Sequence, residues 1–197
     1  MSEFWKYFIF GFKHLWSFHV YIDILFLWVL TVSYDFKVWK KILLLLFLFT
    51  VGHTLALMLT IFNVITIKTN IVSFIIHTLI FILALYTIIS TGKLGKKDNM
   101  TFIAIVSSVF GIIHGLGFAN YFNTIVLGKP TDRLLPLFES VLGFGVSQIL
   151  MVVLSLLFAY MVQTLLKFSK RDWILIVCAF VVGIVFPMII RNQIWQH

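Results

Sequence analysis

Charge is what this sequence has least of. Asp, Glu, Lys and Arg make up 11% of its 197 residues, and only seven are acidic, whereas a soluble domain is about a quarter charged. A chain so poor in charge cannot cover a globule with a hydrated surface, which excludes an ordinary soluble domain. Cysteine is nearly absent too. Cys178 is the single one, so no intramolecular disulfide can form, and it lacks the neighbours of a metal or redox motif. It reads as a small apolar residue. Proline occurs three times, at 130, 136 and 187. Pro136 suits the first turn of a helix, and Pro187 falls inside an apolar run that it would kink. There is no His-Glu-x-x-His element, serine-nucleophile motif or phosphate loop, and no internal repeat or low-complexity tract. The N-terminus is aromatic and carries Lys6, Lys13 and His14 with no small-residue cleavage site, so no removable signal peptide is expected.

What is present is apolar: 61% of the residues are hydrophobic. Uncharged stretches long enough to cross a bilayer alternate with short charged clusters. The expected fold is an all-α integral membrane protein, a bundle of about six transmembrane helices forming one domain over 1–197. The spans fall at roughly 20–34, 42–65, 71–89, 102–126, 137–166 and 173–190, after an aromatic segment, Phe4 to Phe18, expected at the membrane interface. The first span is short for a bilayer and would tilt or bend near Asp23.

The formal net charge is +8. The basic residues flank apolar spans, as the cytoplasmic-loop bias produces, so the partner is the lipid bilayer and not nucleic acid. One side gathers Lys37, Lys40, Lys41, Lys93, Lys96, Lys97, Lys167, Lys170 and Arg171; the other gathers Lys6, Lys13, Lys68, Lys129, Arg133 and Arg191. Nine against six marks the first side as cytoplasmic and places the N-terminus in the periplasm of a bacterial inner membrane.

Against this background, ionisable residues at membrane depth mark candidate function. His53 lies mid-span between Gly52 and Thr54, and His114 lies among Gly111, Gly115 and Gly117, where missing side chains let a helix or ligand approach closely. A packing motif needs the glycines but not the histidine. His19 and Asp23 are four apart and share a helix face. His14 precedes Asp23 by nine residues, half a turn out of phase, so all three converge only if the helix is interrupted. His77 reads as an imidazole bonded to a neighbouring helix. Glu139 sits near the outer end of the fifth span, where it either caps a helix or meets a cation, and Gln148, deeper, needs an interhelical partner. Imidazoles with carboxylates suit a divalent transition metal such as nickel, cobalt or zinc.

Two elements, Phe49-Thr50-Val51-Gly52-His53-Thr54-Leu55 and Phe110-Gly111-Ile112-Ile113-His114-Gly115-Leu116-Gly117-Phe118-Ala119, resemble the HupE/UreJ family of bacterial membrane proteins. The resemblance extends from about Gly11 to Pro187, and Ser169 to Trp173 looks like members from the Bacteroidota. It implies a nickel permease or nickel delivery linked to hydrogenase or urease. Gly11, His14 and Leu25-Phe26 fit the family's first span, but its adjacent Asp-His pair falls on Ile22-Asp23. Ser73 stands where the third span often has glutamate. In the fifth span Gly143 and Gln148 remain, while the glutamate position is Gly145.

Three readings follow. The first is a permease moving a divalent transition metal inward, with His14, His19, Asp23, His53 and His114 as ligands and Glu139 at the mouth. The second is a non-transporting accessory or scaffold subunit of a larger membrane complex, its partner subunits met by an aromatic surface drawn from 22 Phe, 6 Trp and 6 Tyr. That copy would have lost part of the metal site, since losing an anionic ligand weakens cation binding. The third is an intramembrane metal-dependent enzyme, in which His53, His114 and a carboxylate hold zinc with one position open.

Overall fold

The computed structural model describes residues 3–16, 21–92 and 99–195. All regular structure among these is helical. The elements are α1 (Glu3–His14), α2 (Tyr21–Thr31), α3 (Trp39–Ile61), α4 (Thr69–Gly92), α5 (Met100–Ile125), α6 (Leu134–Leu165) and α7 (Lys170–Ile190). Helices α3 to α7 are each long and apolar enough to cross a membrane. The protein is a multi-pass helical membrane bundle.

The first crossing is built differently. Helix α2 has 11 residues, about 16 Å at the usual rise, or half of a hydrocarbon core about 30 Å thick. Its complement is α1, with 12 residues. Along α5, the Phe10 ring meets Phe122 and the His14 ring meets Phe118. Asp23 then reaches His114, and Phe26 stacks on Phe110 at 3.6 Å. The α5 partners step down one helical turn at a time, 122, 118, 114 and 110. The two half-helices therefore run in series, antiparallel to α5, with their interruption at the level of His114. Leu15 and Trp16 form the turn that closes α1. The N-terminal segment, expected at the membrane interface, is thus also the first half of a broken crossing. Its backbone touches α6, because a Cβ on Gly11 would strike the Ser140 carbonyl and one on Gly143 the Phe8 carbonyl.

Helices α3 and α5 run parallel and equally close. The Ser107 hydroxyl donates to the Leu45 carbonyl at 2.8 Å. One turn on, Gly111 lies against the Phe49 carbonyl, and one turn further Gly115 lies against that of His53. Small residues let the two backbones meet, and the contact fixes the rotation of both helices, turning His53 and His114 to face each other. Helix α3 then stops at Asn63, in the left-handed region at φ 57°. The Val64 amide returns to the Leu59 carbonyl and the Asn63 amide to that of Thr60, a Schellman closure for which Asn is suited.

Below His114 the core is a layer of three phenylalanines, Phe26, Phe49 and Phe110, with ring centroids 3.6 to 5.8 Å apart and exposures of 0 to 1%. Outward, α6 presents Leu142, Val146, Ile149, Val153 and Leu157, an apolar surface that suits acyl chains. Gly145 on the same helix would meet nothing within 4 Å if it gained a Cβ. Gly145→Ala should therefore stabilise the protein by up to about 1 kcal/mol through helix propensity. Thermal unfolding in detergent should show a rise of about 2–4 °C, and a lower midpoint would count against the packing of α6 described here.

Candidate metal centre

Three ligating atoms meet where the first crossing breaks. They belong to His14 at the end of α1, Asp23 in the first turn of α2 and His114 midway along α5, and they lie within 4.8 Å of one another. His114 Nε2 is 2.9 Å from Asp23 Oδ2, and His14 Nε2 is 3.9 Å from the same oxygen. Asp23 is 3% exposed and His114 5%. Donors bound to one ion at about 2.1 Å are at most about 4.2 Å apart, so a shift of a few tenths of an ångström by His14 closes the set. His14 and Asp23 come close because α1 closes in a turn at Leu15 and Trp16 before α2 begins. Asp23 also gains from its place in the first turn of α2, where the helix dipole favours a negative group.

His53 stands behind this group. Its Nδ1 is 3.0 Å from His114 Nδ1, on the side of the His114 ring away from Asp23. It touches His114 and lies outside the group of three formed by His14, Asp23 and His114. Its Nε2 is buried with no hydrogen-bond partner among the described residues, and its ring lies on Phe144 at 4.9 Å. Two proton arrangements satisfy the chain. In one, His53 Nδ1–H donates to His114 Nδ1, and His114 Nε2–H donates to Asp23. In the other, His114 carries its proton on Nδ1 and donates to His53, which frees the Nε2 lone pair for a cation. Such an outer partner fixes the tautomer and orientation of a ligand imidazole.

The remaining candidates divide. His19 lies outside the described residues. Glu139 is buried on α6, 8% exposed, but it belongs neither to the group of three nor to the lining of the cavity beside it. On α6 it is Phe144 whose ring meets His114. Gln148 finds its interhelical partner in the Thr50 hydroxyl at 3.1 Å.

The cavity beside the centre holds about 250 Å³ and is lined by His14, Asp23 and His114 together with Ser73, His77 and Tyr121. Helix α4 thus contributes Thr69, Ser73 and His77 to the lining. Thr69, Ser73 and His77 recur every four positions, a spacing that puts them on one face and that the sequence displays.

A family model described as HupE / UreJ protein matches residues 1–192. The chain belongs to the HupE/UreJ family. No curated protein and no solved structure matches it. The HupE/UreJ family is associated with nickel and cobalt transport and is a transporter-type family, not an enzyme family. In this HupE/UreJ chain, Ser73 lines the cavity. Gly145 has open space beside it. The carboxylate of Asp23 points at His114.

Proposed function

We propose that the protein is an inner-membrane permease that carries a divalent transition-metal ion, nickel or cobalt before zinc, into the bacterial cytoplasm. The observation that supports it most is the convergence of His14, Asp23 and His114 at the break of the first crossing. Interrupted helices are where transporters place ion sites, because freed backbone and helix ends face the ligand. Two imidazoles and one carboxylate match borderline metals and are too nitrogen-rich for magnesium or calcium. One negative charge against a divalent ion also holds it loosely enough to be released, as transport requires.

The cavity opens the centre toward α4, and the phenylalanine layer closes it on the other side. The excess of Lys and Arg assigns that closed side to the cytoplasm, so the open side would face the periplasm and the direction would be uptake. The bound ion would contact His14, Asp23 and His114, with His53 holding the His114 ring.

Cells expressing the protein should accumulate nickel or cobalt above the vector control, and His114→Ala should abolish the excess. The purified chain should bind one ion by calorimetry, with affinity lowered about 10- to 100-fold in His53→Ala, as for a lost outer partner. Equal accumulation in wild type, His114→Ala and vector would sink the proposal. A stoichiometric second protein in gentle detergent, with no accumulation, would favour the accessory-subunit alternative.

A further inference from the structure

His77 lines the cavity beside the centre without belonging to the group of three ligands. It is 7% exposed on α4, and its Nδ1 is buried with no hydrogen-bond partner among the described residues. A buried imidazole normally finds one, because leaving a polar group unpaired in apolar surroundings costs about 1–3 kcal/mol. Its position suggests why this one does not. His77 lines two cavities at once: the inner one that holds His14, Asp23 and His114, and a larger one of about 500 Å³ between the start of α4 and the end of α7. Thr69, Ser73 and His77 are common to both linings.

The depth of these residues can be read from their partners on α5. Thr69 meets the Asn120 side chain, at the rim. Val72 lies beside Gly117, one turn deeper. Ile76 packs in the same apolar cluster as Ile113. His77 is therefore level with His114 and displaced sideways from it. The α4 face carries oxygen ligands at the rim, a hydroxyl one turn down and an imidazole at the bottom. Asn70, Asn192 and Gln193 add amide oxygens to the outer cavity. Arg191, the one Lys or Arg among the described residues that line it, is exposed, where water and salt screen it.

We propose that the outer cavity is the entrance for the ion and that His77 is a transit ligand, taking a divalent transition-metal ion at the foot of the entrance and passing it sideways to the Asp23–His114 centre. The inference rests on the permease reading above and adds to it a route and a second binding position. Ser73 Oγ lies one turn up the same face as a weaker oxygen partner. A single imidazole suits a transit role: it competes with water for a borderline metal and releases it to a centre with three ligands.

The single cysteine makes the test direct. Cys178→Ala removes a buried thiol that takes no part in either cavity and leaves a cysteine-free chain. Adding His77→Cys places one thiol at the proposed position. A cationic, membrane-impermeant methanethiosulfonate applied to intact cells should modify it, and cobalt chloride should slow the modification. Separately, His77→Ala should raise the KM for nickel uptake about tenfold, as loss of a supporting ligand does, with the maximal rate retained. The affinity of the central site for nickel in the purified full-length protein should not change, since its three ligands are intact. An unreactive His77→Cys thiol, or one that cobalt does not shield, would overturn the inference, as would an unchanged KM in His77→Ala. Failure of the permease reading shows elsewhere, as nickel binding that survives in His114→Ala.

Discussion

Asp23→Asn should lower metal uptake and metal affinity by two to three decades while leaving the protein folded. Asp23 is the one acidic residue in the group of three, and a divalent ion taken out of water loses its hydration to two neutral rings and this carboxylate. Breaking such a buried pair by removing one partner costs about 3–5 kcal/mol, and each 1.4 kcal/mol is tenfold. Asparagine has nearly the same shape, keeps an oxygen within reach of His114 Nε2, and stays buried at the head of α2, so packing should survive. Calorimetry and uptake should fall together. Wild-type affinity in Asp23→Asn would mean that the carboxylate merely orients His114 and that the ion binds elsewhere. Asp23→Glu should recover part of the loss, since it restores the charge at a displaced position.

The second large effect is structural. Gly111→Val should lower the thermal midpoint in detergent by roughly 6–12 °C and broaden the size-exclusion peak. The obstacle is the Phe49 carbonyl, which a new Cβ would overlap. A backbone atom cannot rotate aside as a side chain can, so α3 and α5 must separate. Overpacking of this kind costs about 3 kcal/mol at the upper end of its usual range, and each kcal/mol is worth about 2–4 °C in a chain of this size. Separation would also part His53 from His114 and open the layer beneath them, so metal binding should weaken without any ligand having been changed. A midpoint equal to that of wild type would show that the two backbones are not in contact at this turn. Gly145→Ala, on open space, is the natural control.

How much of this was visible in the sequence follows from what a membrane helix hides. Hydropathy marks the five long helices because length and apolarity survive in any environment. It could not show which side of each helix faces the bundle. Helices α3, α5, α6 and α7 are apolar nearly all round, so the periodic contrast that orients a helix in water is missing. Residue spacing therefore leaves open which way Glu139 and His77 turn. What could be read was phase. His14 and Asp23 are out of step on one continuous helix, so their meeting requires a break, and the break exists between α1 and α2. The glycines could be read as well, since Gly111 and Gly115 allow close approach wherever they fall. The identity of the approaching backbone, and hence the placing of His53 behind His114 rather than beside Asp23, depends on long-range packing that residue spacing does not encode.

The layer formed by Phe26, Phe49 and Phe110 has a consequence for electrical behaviour. Stacked rings with at most 1% exposure fill the described core below His114 with apolar side chains. In the proposed permease, ions would not file through in bursts past these rings. Each passage would wait for the packed rings to part, a collective motion of microseconds to seconds. A planar bilayer holding the protein should stay silent in single-channel recordings, with no unitary current steps, even at metal concentrations that saturate flux into vesicles. Its traffic would be counted in ions per rearrangement, and the membrane potential would be left intact.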